Sequence, residues 1–254
     1  MEKKEPSVGW ETDKGIFQWE NNLIVVKFGS GLVVKNGEVN KEFVNGLVNQ
    51  VDVLYRIGKR VILVGSGAIA LGRAGIQELI GTYILDQDCA FWGQRVLFND
   101  WNEVFRQKGY KVREHLVVER DLVDDFQGNL LQEERQIDLI NGDDTRQEIG
   151  AAGNNDYVAN RIADIKRADV LVNLTNVDGV FNNGEVVRVI NSEDCLENIE
   201  FWEKSLTGTG GMRQKLKYML ESAKKRTTFI ACGEDKEVLF KILAGEVVGT
   251  RIRL

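Results

Sequence analysis

The chain has 254 residues and a formal net charge of -6, which argues against a general nucleic-acid binder, because such proteins carry a strongly basic face. Hydrophobic residues make up 43% and charged residues 28% of the sequence, as is usual for globular proteins of this size. Its three cysteines are widely spaced and form no CxxC pair, which favours free thiols in a reducing compartment. No segment approaches the ~18 apolar residues of a membrane span. We therefore expect a cytoplasmic protein with neither nucleic acid nor a membrane as a partner.

Hydrophobic patterning predicts strands that alternate with helices from Leu23 onwards. Short apolar runs rich in β-branched residues indicate buried strands, whereas apolar residues at spacings of three and four indicate amphipathic helices. Strand–helix–strand order requires a parallel sheet with right-handed crossovers, so we expect a single three-layer αβα sandwich. Predicted strands cover 23–28, 60–64, 112–118, 137–140 and 169–174, with others near Phe229 and Thr250, and predicted helices cover 40–57, 87–108, 156–167, 208–225 and 236–243.

Two connections have signals of their own. Residues 120–136 are polar and acidic, which predicts a loop or hairpin excursion there. The dipeptide Asn183-Gly184 predicts the turn of a hairpin within residues 179–189, because both positions accept the positive φ that such turns require.

Four glycine-bearing turns follow strands or open helices, near Gly29, Gly65, Gly153 and Gly208. Glycine lets backbone N–H groups approach an anion closely, and such turns meet at the carboxyl ends of parallel strands. Each turn alone is weak evidence, but together they favour a nucleotide whose phosphates lie near helix N-termini. The sequence contains neither a GxxxxGK[ST] motif nor a suitably placed GxGxxG motif, so P-loop and dinucleotide folds are excluded.

Lys27 and Lys215 each lie beside a glycine turn, where they could neutralise the charge of a transferring phosphoryl group. Two lysines held close together repel each other, so a carboxylate between them is expected, and Asp156 is the best placed. Ordinary alternatives exist for all three. Lys27 could extend from a buried strand to the surface, Lys215 could be a surface lysine, and Asp156 could be an acid favoured by a helix dipole.

Five segments together resemble the amino-acid kinase family, and within it the glutamate 5-kinase branch. In chain order they are VVKFGSGL, VGSGAIALGR, INGDD with GNND, LTNVDGVF and TGTGGMRQK. The resemblance covers residues 23–254, so we expect an N-terminal extension at 1–22, a kinase domain at 23–254 and no C-terminal PUA domain.

The resemblance implies an ATP-dependent kinase, acting with Mg²⁺, that phosphorylates the side-chain carboxylate of glutamate to an acyl phosphate. In the family this reaction belongs to proline biosynthesis. The resemblance also implies a homo-oligomer, dimer or tetramer, and a reductase partner that consumes the acyl phosphate. The implied catalytic residues are Lys27, Lys215 and Asp156; the implied substrate-binding residues are Ser66, Gly67, Asn141, Asp144, Asn154 and Asn155; and the implied nucleotide-binding residues are Lys27, Gly29, Ser30, Thr175, Asn176, Thr209, Gly210, Gly211, Met212 and Lys215.

Some positions depart from the family pattern. Asn154 stands where an aspartate is usual, and losing that charge opposite a substrate ammonium could cost ~2–5 kcal/mol of binding unless Asp143 compensates. Asn176 likewise replaces an aspartate, and residues 121–137 lack a segment that helps to build the substrate and proline-feedback site in the family. Two alternatives therefore stay open: a kinase for another small acid, and a catalytically silent regulator. Retention of both lysines argues against the regulator.

Three other conspicuous side chains are interpreted as structural. His115 is the single histidine and lies in an alternating strand pattern, which favours a paired strand residue over a general base. Trp92 and Trp101 lie on one predicted helix, where core or subunit-interface positions are more common than a stacking platform.

Overall fold

The computed structural model describes residues 20–80, 84–122, 134–146, 154–192 and 211–254. The strands are β1 (Leu23–Phe28), β2 (Val34–Lys35), β3 (Glu38–Val39), β4 (Arg60–Val64), β5 (Lys111–Val117), β6 (Gln136–Gly142), β7 (Val170–Thr175), β8 (Phe181–Asn182), β9 (Glu185–Val186), β10 (Val189–Ile190), β11 (Thr227–Cys232) and β12 (Thr250–Ile252). The helices are α1 (Ser30–Val33), α2 (Lys41–Arg56), α3 (Ala68–Ile80), α4 (Asp86–Gln107), α5 (Asn155–Ile165), α6 (Met212–Ala223) and α7 (Val238–Leu243), with a 3₁₀ turn at Glu119–Asp121.

Eight strands form one sheet in the order β10-β12-β11-β7-β1-β4-β6-β5. The six neighbours from β11 to β5 pair in parallel, while β12 is antiparallel to β11 and parallel to β10. The remaining strands form two small antiparallel hairpins, β2–β3 and β8–β9. Because the central strands are parallel, their carboxyl ends share one edge of the sheet, and this edge is where a ligand would be expected.

The side chains of β1 alternate between two cores, one on each face of the sheet. Ile24, Val26 and Phe28 pack with apolar residues of α2, α4 and α7. Leu23 and Val25 pack on the other face with apolar residues of α5 and α6. A strand that is buried on both faces needs apolar residues at successive positions, which explains the apolar run at residues 23–26. The expected three-layer αβα sandwich is confirmed.

Most predicted elements agree with the structure to within two residues. Residues 40–57 form α2, with the Asn40 side chain accepting a hydrogen bond from the Phe43 N–H at 3.3 Å, and residues 87–108 form α4. The hairpin turn is also confirmed, because Asn183 and Gly184 have φ values of 50° and 82°. Of the predicted 120–136 excursion, residues 123–133 lie outside the described residues, as do residues 1–19 of the predicted extension.

Two expectations about the glycine turns need correction. The turn expected after β1 is the single helical turn α1, which begins at Ser30. Residues 68–80, for which no helix was predicted after the glycine turn at Gly65, form the helix α3. Two glycines inside that segment lower its intrinsic helix propensity, which concealed the helix in the sequence.

One of these glycines, Gly72, permits a close contact between α3 and α4. A Cβ atom at Gly72 would lie 1.7 Å from the carbonyl oxygen of Cys89, and one at Gly93 would lie 1.8 Å from that of Ala68. Both distances are far below van der Waals contact, so the two backbones can approach this closely only without a side chain at either position. The second glycine of α3, Gly75, has nothing within 4 Å of its hypothetical Cβ atom.

These two glycines provide a matched test of the helix contact. Gly72→Ala should lower the free energy of unfolding by about 1–3 kcal/mol, because the new methyl group forces the helices apart. Gly75→Ala should raise it by about 0.5–1 kcal/mol, because alanine is the better helix former and meets no obstacle. Urea unfolding of both variants measures the difference. Equal stability of the two variants would contradict the close packing of α3 on α4.

Candidate active site

The candidate site lies where the carboxyl ends of β1, β4, β6 and β7 approach the N-termini of four helices. Helix α1 begins two residues after β1 and helix α3 four residues after β4. The start of α5 is hydrogen-bonded to the end of β6, and the start of α6 contacts the start of α5 through Lys215. Helix N-termini carry partial positive charge and unpaired N–H groups, so this edge of the sheet favours anions.

Lys27, Asp156 and Lys215 meet at the centre of this edge. Lys27 Nζ lies 2.7 Å from Asp156 Oδ1, and Lys215 Nζ lies 3.1 Å and 3.2 Å from the two carboxylate oxygens of Asp156. The three residues are only 5%, 6% and 8% exposed. The sequence-based expectation of a carboxylate between two lysines therefore describes the observed arrangement.

The alternation of β1 explains why these residues meet. Lys27 has the same parity as Leu23 and Val25, whose side chains pack on the face covered by α5 and α6. Asp156 lies in the first turn of α5, and Lys215 lies in the first turn of α6 with its N–H bonded to the carbonyl of Gly211 at 3.2 Å. The strand and the two helices thus supply one charged residue each to the same point.

Asn173 completes the cluster, and sequence reasoning missed it. Its strand β7 pairs with β1 so that Asn173 lies opposite Lys27. Asn173 Nδ2 donates to Asp156 Oδ1 at 2.8 Å, and Asn173 Oδ1 accepts from Lys215 Nζ at 3.3 Å. A polar residue within the otherwise apolar strand VLVNLT was the available signal.

The charges of this cluster shift the pKa values of its members. Burial alone would raise the pKa of Asp156, but the charges of Lys27 and Lys215 and hydrogen bonds from Lys27 and Asn173 more than offset it, so the pKa lies well below its usual range. Burial and the charge of Lys27 lower the pKa of Lys215 to about 8, against the opposing effect of Asp156.

Among the described residues, two buried ammonium groups thus contact a single carboxylate. Buried charge is costly unless it is paired, so the cluster has capacity for one further anion. The chemistry of this donor set fits the phosphates of a nucleotide.

A chain of amide groups borders the cluster on the β6 side. The N–H of Gly142 donates to Asn155 Oδ1 at 2.9 Å, and Asn155 Nδ2 donates to Asn141 Oδ1 at 2.8 Å. Asn141 Nδ2 then donates to Gln94 Oε1 on α4 at 2.7 Å. Asn141 is only 1% exposed, so the structure places this predicted substrate residue inside the supporting network. Gln94 was not predicted.

Asn154 has a structural role that the sequence reading did not assign. It is the N-cap of α5, and its Oδ1 accepts a hydrogen bond from the Asp156 N–H at 2.9 Å. Asparagine and aspartate cap helices about equally well. Asn154 therefore stabilises the start of α5 as an aspartate would, but without a negative charge.

The two neighbouring aspartates of the β6–α5 connection have different environments. Asp143, which was suggested as a replacement for the missing charge at 154, has a cationic partner within the chain, because its Oδ2 lies 2.8 Å from Arg146 Nε. Burial, together with the charges of Asp143 and Asp86, raises the pKa of Asp144 to about 6. A cationic group placed beside Asp144 would relieve this repulsion.

The remaining predicted residues lie around the same edge, except for two. Gly67 has a φ of 115°, which an L side chain rarely adopts, and it leads directly into α3. Thr209 and Gly210 lie outside the described residues, as do Gly153 and Gly208. The rest end or follow β1, β4 or β7, or lie at the start of α6: Gly29, Ser30, Ser66, Thr175, Asn176, Gly211 and Met212.

His115 and Trp101 have the structural roles expected of them. His115 Nε2 lies 2.8 Å from Asp138 Oδ1. The Trp101 ring stacks on the Phe28 ring in the core, with 4.8 Å between the ring centroids. Within the ranges that the structure describes, no helix is long and apolar enough to cross a membrane. No three His, Cys, Asp or Glu side chains of the described residues converge as metal ligands.

Comparisons with known proteins identify relatives of this chain. The sequence profile of the amino acid kinase family matches residues 22–232. A protein from Maridesulfovibrio salexigens named glutamate 5-kinase is 32% identical over 92% of this chain and 67% of its own length. Another of that name, from Symbiobacterium thermophilum, is 32% identical over 89% of this chain and 94% of its own length.

A solved structure shares the fold. The UMP kinase of Bacillus anthracis superposes with a TM-score of 0.65 over 91% of this chain and 96% of its own, at 17% sequence identity. The profile match, the two relatives and the shared fold together show that the chain belongs to the amino acid kinase family.

Proposed function

We propose that the chain is an ATP-dependent kinase that phosphorylates the side-chain carboxylate of glutamate, or of a close analogue, to an acyl phosphate. The observation that carries this proposal is the buried cluster in which Lys27 and Lys215 share Asp156. Relatives named glutamate 5-kinase that match about nine-tenths of the chain support the choice of glutamate.

The proposed reaction is an in-line transfer between the two lysines. A carboxylate oxygen of the acid attacks the γ-phosphorus, the bond to the β–γ bridging oxygen breaks, and its electron pair stays on ADP. No proton must be removed, because the nucleophile is already a carboxylate. Lys27 and Lys215 would neutralise the charge on the phosphoryl oxygens, while Asp156 holds both ammonium groups in place.

Other residues would position the two substrates. Asp144 would accept the substrate ammonium, and Ser66 and Gly67 would lie beside the acid. Mg²⁺ bound to the nucleotide would supply further neutralisation of phosphate charge. The proposed nucleotide pocket comprises Gly29, Ser30, Thr175, Asn176, Gly211 and Met212, with Thr209 and Gly210 predicted from sequence.

A kinase for a different small acid is the second candidate, and Asn154 is the observation that favours it. As an amide that caps α5, it offers no negative charge to a substrate ammonium. Substrate binding would then depend less on an α-ammonium group, which suits an acid that lacks this group.

Two expectations about partners stay predictions. An acyl phosphate hydrolyses readily in water, so a reductase that consumes it directly would be a suitable partner. Self-association is suggested by the family resemblance and by Phe91 and Trp92 on α4, which are 70% and 61% exposed, because large exposed apolar groups often mark interfaces.

The first prediction concerns the substrate. The purified chain with MgATP and hydroxylamine should form a hydroxamate from glutamate and little from aspartate or N-acetylglutamate. Release of ADP measures turnover, and the hydroxamate identifies an acyl phosphate. Turnover of another acid in place of glutamate would favour the second candidate, and silence with every acid would overturn the proposed function.

The second prediction concerns Lys215. Lys215→Ala should lower kcat by about a hundredfold or more, because one of the two charges that face the transferring group is removed. Lys217→Ala is the matched control, since Lys217 lies on the same helix and is exposed, and its kcat should stay unchanged. Equal kcat values for the two variants would contradict the role of Lys215.

The third prediction concerns Asp144. Its pKa is raised to about 6, so the carboxylate is charged above that pH and neutral below it. At saturating ATP, kcat/KM for glutamate should therefore fall as the pH drops through about 6, because a neutral Asp144 no longer attracts the substrate ammonium. The ordinary pKa of the glutamate side chain, ~4.3, is too low to produce this change. An Asp144→Asn variant that keeps the same inflection would refute the assignment.

A further inference from the structure

The amide chain beside the site has a fixed direction. Amide oxygen and nitrogen can be exchanged by a flip, but the backbone N–H of Gly142 is a donor in every case. It requires the oxygen of Asn155 to face it at 2.9 Å, which turns the Asn155 nitrogen toward Asn141. The same reasoning turns the Asn141 nitrogen toward Gln94.

The chain therefore ends on a donor. The Gln94 oxygen accepts from Asn141 at 2.7 Å, so the Gln94 Nε2 group is the last donor of the amide chain. Gln94 is only 7% exposed, and Nε2 has no hydrogen-bond partner among the described residues. A buried amide donor without an acceptor is costly, and native proteins almost always provide a partner for such a group.

The position of Gln94 shows where that partner would be. Its neighbour Gly93 lies against the carbonyl of Ala68, at which α3 begins immediately after Ser66 and Gly67. On the other side, Asn141 ends β6. Gln94 thus lies between the start of α3, which follows β4, and the carboxyl end of β6, beside the residues proposed to bind the acid substrate.

We infer that Gln94 Nε2 donates a hydrogen bond to an oxygen of the acid substrate and is a specificity-determining residue of the site. This inference rests on the proposed function. A neutral amide donor selects an acceptor such as a carboxylate oxygen and disfavours a cationic group at the same place. The Gly142 N–H, acting through three amides, fixes this donor before the substrate arrives, so no reorientation is needed on binding.

Two variants of Gln94 separate substrate binding from structural support. Gln94→Glu keeps the shape and the acceptor for Asn141 but replaces the donor by a carboxylate oxygen, which repels an acid. Gln94→Met removes both donor and acceptor and leaves Asn141 without its partner. A structural role predicts the greater damage from methionine, whereas the substrate role predicts the greater loss of acid affinity from glutamate.

Gln136 provides a matched control. Gln136 is 3% exposed, and its Nε2 also has no hydrogen-bond partner among the described residues. It lies at the amino-terminal end of β6, five residues before Asn141 and away from the candidate site. Gln136→Glu should lower the melting temperature, because it buries a new carboxylate, and should leave the KM for the acid unchanged.

Steady-state kinetics on the full chain, with glutamate varied at saturating MgATP, provide the test. Gln94→Glu should raise the KM for the acid by about tenfold or more, Gln94→Met by a smaller factor, and neither should change the KM for ATP more than about twofold. Melting temperatures identify the variants that fold, and if Gln94→Glu does not fold, Gln94→Met decides.

The outcomes distinguish the inference from the proposed function. If the unaltered chain phosphorylates an acid and a folded Gln94 variant keeps the parent KM for it, the Gln94 assignment is overturned and the proposed function survives. A larger KM for the acid in Gln94→Met than in Gln94→Glu would reduce Gln94 to structural support. Failure of the unaltered chain to phosphorylate any acid would overturn both.

Discussion

Two buried lysines that share one carboxylate are the constraint on which the rest of this site depends. Lys27 and Lys215 both contact Asp156 in a region where each is less than a tenth exposed. Desolvating like charges together is unfavourable, and the lowered pKa of Lys215 reflects that cost. An incoming phosphate group would supply a second negative charge, so the arrangement is suited to binding an anion. Perturbed pKa values of this kind cluster at functional sites.

The sheet explains how such a cluster can be built. Parallel pairing of β1 with β7 aligns Lys27 with Asn173. Lys27 has the parity of Val25 and Asn173 has that of Leu171, so each strand directs its polar side chain toward α5 and α6. In β6, Asn141 has the parity of Ile137 and Leu139, whose side chains pack toward α4, and Asn141 Nδ2 donates to Gln94 Oε1 there. The part of the site at β1 and β7 therefore carries the charges, whereas the part at β6 carries the amide chain that runs from Asn155 on α5 to Gln94 on α4. This division corresponds to the proposed division between phosphate and acid.

Much of this could be predicted from sequence, because the signals were local. The positions of Lys27 near the end of an apolar strand, of Asp156 in the first turn of one helix and of Lys215 in that of another were predicted from spacing and turn residues. The partners of Asn173 and Gln94 could not be assigned in this way, since they depend on which strands and helices become neighbours in space. The helix α3 was missed because Gly72 and Gly75 weaken its propensity, whereas the packing of α3 on α4 requires Gly72. Tertiary contact outweighed local preference there.

The central claim is that a carboxylate oxygen attacks the γ-phosphate of ATP at the Lys27–Asp156–Lys215 cluster. It is tested most directly with an acid substrate whose side-chain carboxylate carries isotopically heavy oxygen, with hydroxylamine present to trap the acyl phosphate. Hydroxylamine attacks the carbonyl carbon, so the phosphate that leaves keeps the bridging oxygen of the former carboxylate. The account predicts inorganic phosphate that contains one heavy oxygen, as measured by mass spectrometry, and loss of that signal in Lys215→Ala. Phosphate without heavy oxygen would mean that water is the acceptor and would contradict the account.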